Sequence, residues 1–170
     1  MRFVFLVLSL LLTSMSSAAD LRSAILRDVR SCAAAFQREN IAAVIAFLPP
    51  RVVQKRGGRA ALAEELKEQL AQAHAVGVTK IEAMPGTPGM PKQHGRLLAS
   101  LVPVTAVAYS AHVELTQETH VLAISADAGK RWSLIPLYDV TQAELNAWYP
   151  EFRGKIAVPI PSKPRMQLVY

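Results

Sequence analysis

Residues 96–137 read RLLASLVPVTAVAYSAHVELTQETHVLAISADAGKRWSLIPL, and this stretch decides the fold. Its first part, Arg96 to Tyr109, is a nearly continuous apolar run, which predicts a long strand. From His112 to Ser125 apolar and polar residues alternate, as they do along an antiparallel strand whose two faces differ. A hairpin at Ala126 to Lys130 then returns the chain into a further strand, Arg131 to Leu137. The stretch therefore predicts an antiparallel sheet.

Upstream of this sheet, apolar residues recur every three or four positions, which predicts three amphipathic helices. The first has Asp20 as its N-cap and ends near Phe36; the second is capped by Asn40 and stopped by Pro49-Pro50; the third runs from about Arg59 to Val76. Two segments around the third helix lack this helical period. The segment before it predicts a short strand at Arg51 to Lys55. The segment after it predicts a strand at Val78 to Met84 and a loop at Pro85 to Gly95.

Downstream of the sheet, Thr141-Gln-Ala-Glu144 has the pattern of a capping box, with Val140 and Leu145 at the positions of a hydrophobic staple. These residues predict a short helix that Pro150 ends. The rest of the chain is predicted to be an extended arm packed through Ile156, Val158 and Ile160. Helices followed by a run of antiparallel strands predict the α+β class.

The first nineteen residues, MRFVFLVLSLLLTSMSSAA, have the features of a secretory signal peptide. Arg2 precedes an apolar run of about ten residues, which is too short to span a membrane, where about 20 are needed. Small residues then favour a cut before Asp20 or before Ala19. We therefore expect an exported protein, periplasmic or secreted, with no transmembrane segment in the mature chain.

Composition narrows the possible partners. The chain carries 19 Lys and Arg against 13 Asp and Glu, and its basic residues are scattered rather than clustered. Nucleic-acid binding is not expected, because that needs a basic patch interleaved with exposed aromatic residues. The only cysteine, Cys32, cannot form an internal disulfide and is interpreted as a small apolar core residue. No phosphate-binding loop, nucleophile elbow or metal-ligand spacing occurs, so no cofactor and no metal is expected.

One local motif lies in the predicted hairpin. Ser125-Ala-Asp127-Ala-Gly129-Lys-Arg-Trp132 fits the pattern S-x-D-x-G-x-x-W and resembles the Asp box of sialidase-like propellers. A propeller needs several blades of about 40–50 residues, and this chain offers one such hairpin. The motif is therefore interpreted as a turn stabiliser: Asp127 accepts turn N–H bonds, Gly129 takes positive φ and Trp132 packs over the hairpin.

The candidate ligand-pocket residues lie on the predicted strand 112–125 and just before it. His112, Glu114, Glu118 and His120 share one strand face, and Tyr109 comes from the preceding strand. Two histidines and two carboxylates on one face suit a pocket, a metal ion or acid–base chemistry. The alternative is that this face is the solvent side of the sheet, although Leu122 and Ile124 on the same face indicate that its far end is covered.

Four segments together resemble the nuclear transport factor 2-like superfamily, in particular its secreted bacterial members. They are RENIAAVIAFLPPRVV (38–53), GGRAALAEELKEQLAQAHAVGV (57–78), VLAISADAGKRWSLIPL (121–137) and TQAELNAWYPEF (141–152). The resemblance implies a cystatin-like, cone-shaped α+β domain, in which three N-terminal helices pack on a curved antiparallel sheet, with a short C-terminal helix and an extended tail. The base and donor that enzymes of this superfamily place inside the cone do not map onto this sequence residue by residue.

The resulting organisation is a signal peptide at 1–19, a cone domain at 20–152 and a Pro-rich extended tail at 153–170. Three functions are compatible with it. The first is an exported, non-catalytic domain that binds a small apolar ligand or a partner protein. The second is a lyase or isomerase that uses His120 with Glu118 or Glu114. The third is an envelope accessory protein that docks, or forms a homodimer, through its sheet.

Overall fold

Four helices come first in the chain and the sheet follows them. The computed structural model describes residues 17–169. Its elements are α1 Ala18–Gln37, α2 Ile41–Phe47, α3 Pro50–Lys55, α4 Gly58–Ala75, β1 Val78–Pro85, β2 Lys92–His94, β3 Leu97–Ser110, β4 Val113–Ser125, β5 Ser133–Pro136, α5 Gln142–Trp148, a 3₁₀ turn Pro150–Phe152 and β6 Arg165–Leu168. The α+β class with a curled antiparallel sheet is confirmed. The predicted signal peptide, apart from its last three residues, lies outside the described residues.

The sheet is organised around one long antiparallel pair. β3 and β4 pair over twelve residue positions without a register shift, from Leu98 opposite Ser125 to Tyr109 opposite Glu114. β1 and β2 pair with the other edge of β3, and β5 and β6 with the other edge of β4. The remaining four described strands therefore all pair with β3 or β4.

At the β5 end, both faces of this pair are buried, each in its own hydrophobic cluster. Leu122 and Ile124 face a cluster that includes Leu145 and Trp148 of α5, Phe152 and Ile156. Ala123 and Val102 face a second cluster that includes Ile25 of α1 and Trp132. This arrangement explains why Leu122 and Ile124 break the simple alternation of β4, since α5 and the tail cover the face that a two-layer domain would leave to solvent.

The N-terminal helix begins earlier than the sequence predicts. Ser17, not Asp20, is the N-cap of α1, and Asp20 occupies the third helical position of a capping box. Ser17 Oγ accepts a hydrogen bond from Asp20 N at 3.2 Å, while Ser17 N donates to Asp20 Oδ2 at 3.1 Å. Asp20 thus caps the helix from its first turn. Its carboxylate is also stabilised there by the positive end of the helix dipole.

The predicted strand at Arg51 to Lys55 is wrong, because these residues form helix α3. Pro50 occupies the first helical position, where its fixed φ suits a helix start and its missing N–H costs nothing. Val52 on this helix is 1% exposed and packs against the cluster under α5. Tertiary packing of Val52 therefore outweighs the strand preference of two adjacent valines.

The C-terminal arm is partly a strand. Its residues 165–168 form β6, which pairs with β4 (Leu115 opposite Met166) and was not predicted. Ile156 is buried and Val158 packs beside it, as predicted, but Ile160 is 93% exposed, so its predicted packing is wrong. Ser162 instead fixes the arm, since its Oγ accepts a hydrogen bond from Glu118 N at 2.8 Å.

The capping box of α5 is confirmed. Glu144 N donates to Thr141 Oγ1 at 3.2 Å, and Thr141 N donates to Glu144 Oε2 at 2.8 Å. These bonds from Thr141 lower the pKa of Glu144. Gln142 in the first turn also holds the arm, donating to Ile156 O and accepting from Val158 N. The start of α5 therefore fixes both the helix and the chain that follows it.

We predict that Thr141→Ala lowers the free energy of unfolding by about 1 kcal/mol, because it leaves a first-turn N–H without its acceptor. Chemical denaturation at neutral pH measures the change. The difference from the native protein should shrink as the pH falls through the lowered pKa of Glu144, since protonation weakens the bond that Thr141 Oγ1 donates to Glu144 Oε2, which the variant lacks. Thr87→Ala, at an exposed loop threonine, is the control and should change stability by much less. Equal stability of Thr141→Ala and the native protein would contradict the assignment.

Candidate functional site

The Asp box forms a tight network at the β4–β5 hairpin. Ser125 Oγ donates to Asp127 Oδ1 at 2.8 Å and accepts from Gly129 N at 2.9 Å. Asp127 in turn accepts from Arg131 N at 3.0 Å and from Arg131 Nε at 3.2 Å. Desolvation would raise the pKa of Asp127, but the bonds from Arg131 and Ser125 outweigh it and the pKa lies below its usual value. The network holds the hairpin in one shape, with Asp127 ionised.

Gly129 brings this hairpin against the first helix. Its φ is +89°, and a Cβ added there would overlap Leu21 Cδ2 of α1 and lie 3.6 Å from Trp132 Cζ2. Trp132 is 3% exposed, and its indole Nε1 has no hydrogen-bond partner within the described part of the chain. The hairpin is therefore docked on α1 through an approach that only glycine permits.

A cleft opens between this hairpin and the helices, and we refer to it as the hairpin cleft. Its volume is about 1030 Å³, and it is partly open to solvent. It is lined by Arg27, Asp28, Ala46, Phe47, Leu48, Pro50, Val53, Gln54, Gly58, Arg59, Ile124, Ala126, Asp127, Lys130, Arg131, Trp132 and Ser133. A cavity of this size, built from several elements, is large enough for a small ligand.

The lining of the hairpin cleft is mixed in character. Apolar side chains come from α2, α3 and the sheet, among them Phe47, Val53 and Ile124. Around them lie two carboxylates, and both are held in ion pairs. Asp28 Oδ1 accepts from Arg27 Nε at 2.9 Å, and Asp127 is paired with Arg131. The cleft therefore offers an apolar surface bordered by charged groups.

Two further cations line the cleft. Arg59 and Lys130 make no ion pair or side-chain hydrogen bond with any residue that the structure describes. Arg59 lies in the first turn of α4, whose N-cap, Gly57, has a left-handed backbone and gives no side-chain cap. The N–H groups that begin a helix carry partial positive charge and need acceptors. The electrostatic character of the cleft is therefore positive.

The five residues proposed from the sequence lie elsewhere, and none of them lines the hairpin cleft. Tyr109 Oη donates to Glu82 Oε2 at 3.0 Å on the neighbouring β1, and this bond raises the pKa of Tyr109. Glu114 Oε1 accepts from Thr116 Oγ1 at 3.3 Å.

The other three are spread along β4 and its beginning. Glu118 forms an ion pair with Arg165 of β6 at 3.0 Å. His120 is half-buried and its carbonyl accepts from Leu137 N, while His112 is exposed and its carbonyl accepts from Val169 N. No side-chain hydrogen bond joins either histidine to Glu114 or Glu118 among the described residues. A pocket on this face stays a prediction.

Cys32 and potential metal ligands add no further site. Burial raises the pKa of the Cys32 thiol to about 11, and the side chain packs against the cluster around Ile25. Cys32 thus has the environment of an apolar core residue rather than of a reactive thiolate. Within residues 17–169, no group of three His, Cys, Asp or Glu residues is arranged to hold a metal ion.

The sheet leaves an apolar area where β4 meets β6. Leu115 lies opposite Met166 and Val113 opposite Leu168. Leu115, Met166 and Leu168 are 36%, 69% and 57% exposed. Docking or a homodimer through the sheet stays a prediction, and these residues are where it would be expected. None of the helices within residues 17–169 has both the length and the apolar character needed to span a membrane.

Comparisons with protein-family models, with curated proteins and with solved structures give no significant match for this chain. The hairpin cleft itself was not predicted from the sequence. Two signals indicate it in retrospect. One is the adjacent Lys130-Arg131 at the tip of a hairpin that the Asp box makes rigid, and the other is a helix that begins at Gly57-Gly58 without a capping side chain.

We predict that Gly129→Ala destabilises the protein more than Gly77→Ala does. Both positions have φ near +85° to +89°, so both substitutions cost roughly 1–2 kcal/mol for a left-handed backbone. Only Gly129 also meets Leu21, because nothing lies within 4 Å of a Cβ at Gly77. Thermal and chemical unfolding measure both variants.

A double-mutant cycle isolates the contact. Leu21→Ala removes the side chain that the methyl group added by Gly129→Ala would meet, so the combined variant should lose less stability than the two single losses added together. Two results would show that the hairpin does not contact α1 at Gly129. One is strict additivity of the two stability losses, and the other is a Gly129→Ala variant as stable as Gly77→Ala.

Proposed function

We propose that this chain is an exported, non-catalytic binding domain that holds a small ligand with an apolar body in the hairpin cleft. The observation that carries the proposal is the cleft itself, about 1030 Å³ and lined by apolar side chains such as Phe47 and Val53. Ligand sites are typically concave, predominantly apolar and equipped with a few polar groups. The cleft is also supported by a rigid hairpin, so little order has to be gained on binding.

The charged groups of the cleft favour binding over chemistry. A general base or nucleophile needs a free, suitably titrating group next to the reacting atom. Both carboxylates that line the cleft within residues 17–169 are ion-paired, and the lining in that range includes no histidine, cysteine or tyrosine. The alternative of a lyase or isomerase depends on His120 with Glu118 or Glu114, and none of the three lines this cleft. Glu118 is paired with Arg165, and Glu114 accepts a hydrogen bond from Thr116.

The same proposal includes the cone-type fold and the export of the chain. Helices that precede a curled antiparallel sheet, with a short helix after it, support a nuclear transport factor 2-like domain. The charge, apolar run and small residues of positions 1–19 support a signal peptide. A domain of this kind would meet its ligand in the periplasm or the medium.

Blocking the cleft tests the binding function. Ala46 is an exposed helical residue that lines the cleft, so Ala46→Trp should fill part of it. Ala71→Trp, on the exposed face of α4, is the matched control. The probe is N-phenyl-1-naphthylamine, an uncharged apolar dye whose fluorescence rises in apolar surroundings. We expect saturable binding to the native protein and to Ala71→Trp, and at least about tenfold weaker binding to Ala46→Trp.

Two results would overturn the binding proposal. One is a native protein that binds no apolar probe, either this dye or its sulfonated analogue. The other is an Ala46→Trp variant that binds as tightly as the control while unfolding at the same temperature as the native protein. The second result would move the site away from the hairpin cleft.

Export has its own test. Mass spectrometry of the protein isolated from its native host should find a mature N-terminus at Ala19 or Asp20, in the periplasmic fraction or the medium. The expectation follows from the small residues at the −3 and −1 positions of these two cuts. An intact Met1 in a cytoplasmic fraction would contradict it.

A further inference from the structure

We propose that the ligand of the hairpin cleft is an anionic amphiphile, with its single negative head group held by Arg59 and Lys130 and its apolar body on the surface formed by Phe47, Val53 and Ile124. This inference rests on the proposed binding function, which it makes specific. The head group is a carboxylate, sulfonate or phosphate, and the three share the negative oxygen atoms that these cations would bind.

The charge of the cleft is the first argument. Arg27 and Arg131 each neutralise one carboxylate of the lining, at 2.9 Å and 3.2 Å. Arg59 and Lys130 are left without a counter-charge among the described residues, although both line the same cavity. Both residues are exposed, but two unneutralised cations beside one low-dielectric wall attract an anion more strongly than a single surface lysine does.

The start of α4 is the second argument, independent of the first. This helix has 18 residues, and its N-cap, Gly57, supplies no side-chain acceptor. The first helical residues, Gly58 and Arg59, line the cleft. Unsatisfied N–H groups and the helix dipole favour an anion at this position, and Arg59 adds a full charge there.

The apolar surface beside these cations is the third argument. Phe47, Val53 and Ile124 line the same cavity as Arg59 and Lys130. The cleft thus combines unpaired cations and an uncapped helix start with an apolar surface.

These features together favour a small amphiphile over a polymer. A nucleic acid would need aromatic side chains to stack its bases along a basic groove, and the lining contains Phe47 and Trp132 alone of that kind. A purely apolar ligand would gain nothing from Arg59 and Lys130, which are exposed and can keep their charged ends in water. An apolar body with one anionic group satisfies both parts of the cleft.

A matched pair of probes separates the head group from the body. 8-Anilinonaphthalene-1-sulfonate has the same aromatic body as N-phenyl-1-naphthylamine and adds one sulfonate. We expect the native protein to bind the sulfonated probe at least about tenfold more tightly. Arg59→Gln and Lys130→Gln should each weaken binding of the sulfonated probe by about tenfold, and should change binding of the neutral probe less than about twofold.

Control variants remove the same charge elsewhere. Arg153→Gln matches Arg59→Gln and Lys163→Gln matches Lys130→Gln, because both control residues are exposed and lie outside the cleft lining. The controls should bind the sulfonated probe as the native protein does. If they lose as much affinity as the cleft variants, the effect is one of net charge and the inference is overturned.

Competition with simple amphiphiles identifies the chemistry of the head group. Dodecanoate and dodecyl phosphate represent a free fatty-acid carboxylate and a lipid-type phosphate, and dodecanol is the uncharged control. The inference is supported if either anion displaces the sulfonated probe and dodecanol does so at least about tenfold more weakly. The anion that binds more tightly then shows whether the head group is a carboxylate or a phosphate. Equal displacement by dodecanol overturns it.

The two proposals fail in different ways. If Ala46→Trp abolishes binding of both probes but Arg59→Gln and Lys130→Gln change neither, the hairpin cleft binds a ligand that is not anionic. If Ala46→Trp changes nothing, the proposed function itself is wrong. Thermal unfolding of every variant separates loss of binding from loss of folding.

Discussion

The unbroken pairing of β3 with β4 is the constraint on which the rest of the structure depends. These two strands match over twelve positions without a bulge, and side chains along a strand alternate between the two faces of the sheet. A slip of one residue would exchange Leu122 and Ile124 with Ala123, and so move each cluster to the wrong side. The register is therefore fixed by two different cores at once, one under α5 and one under α1.

The position of the hairpin cleft follows from this arrangement. β4 ends at Ser125, the residue whose hydroxyl begins the Asp-box network, so the hairpin starts from the best-buried part of the sheet. The network then fixes Asp127 and Arg131 relative to each other. Gly129, which has no side chain, lets the hairpin pack closely against α1. Lys130 lies between these fixed residues. A cation on such a turn is held near the helices at a smaller entropic cost than one on a mobile loop.

Periodicity predicts the elements whose packing repeats along their own sequence, and it misses those decided by distant contacts. The stripes of α1 and α4 and the alternation in β4 are long enough to be read locally, and α2 is marked by its cap at Asn40 and by the prolines that follow it. α3 has six residues, too few to show a helical period, and its helix start depends on Pro50. β6 is four residues long and becomes a strand only because β4 lies beside it. The hairpin cleft joins Arg27, Arg59 and Lys130, which are far apart in sequence, so no local pattern contains it.

The predicted export has a structural consequence at the first helix. A cut before Ala19 or Asp20 would remove Ser17, and with it the capping box of α1. It would also place a new positively charged amino group at the positive end of the helix dipole, which is unfavourable. The first turn of α1 would then be held mainly by Leu21 against Gly129, and the second by Ile25, which is fully buried. In the mature chain, the packing of Leu21 against the Asp-box hairpin would thus hold the first turn in place, while water would have to satisfy the N–H group that Ser17 caps in the precursor.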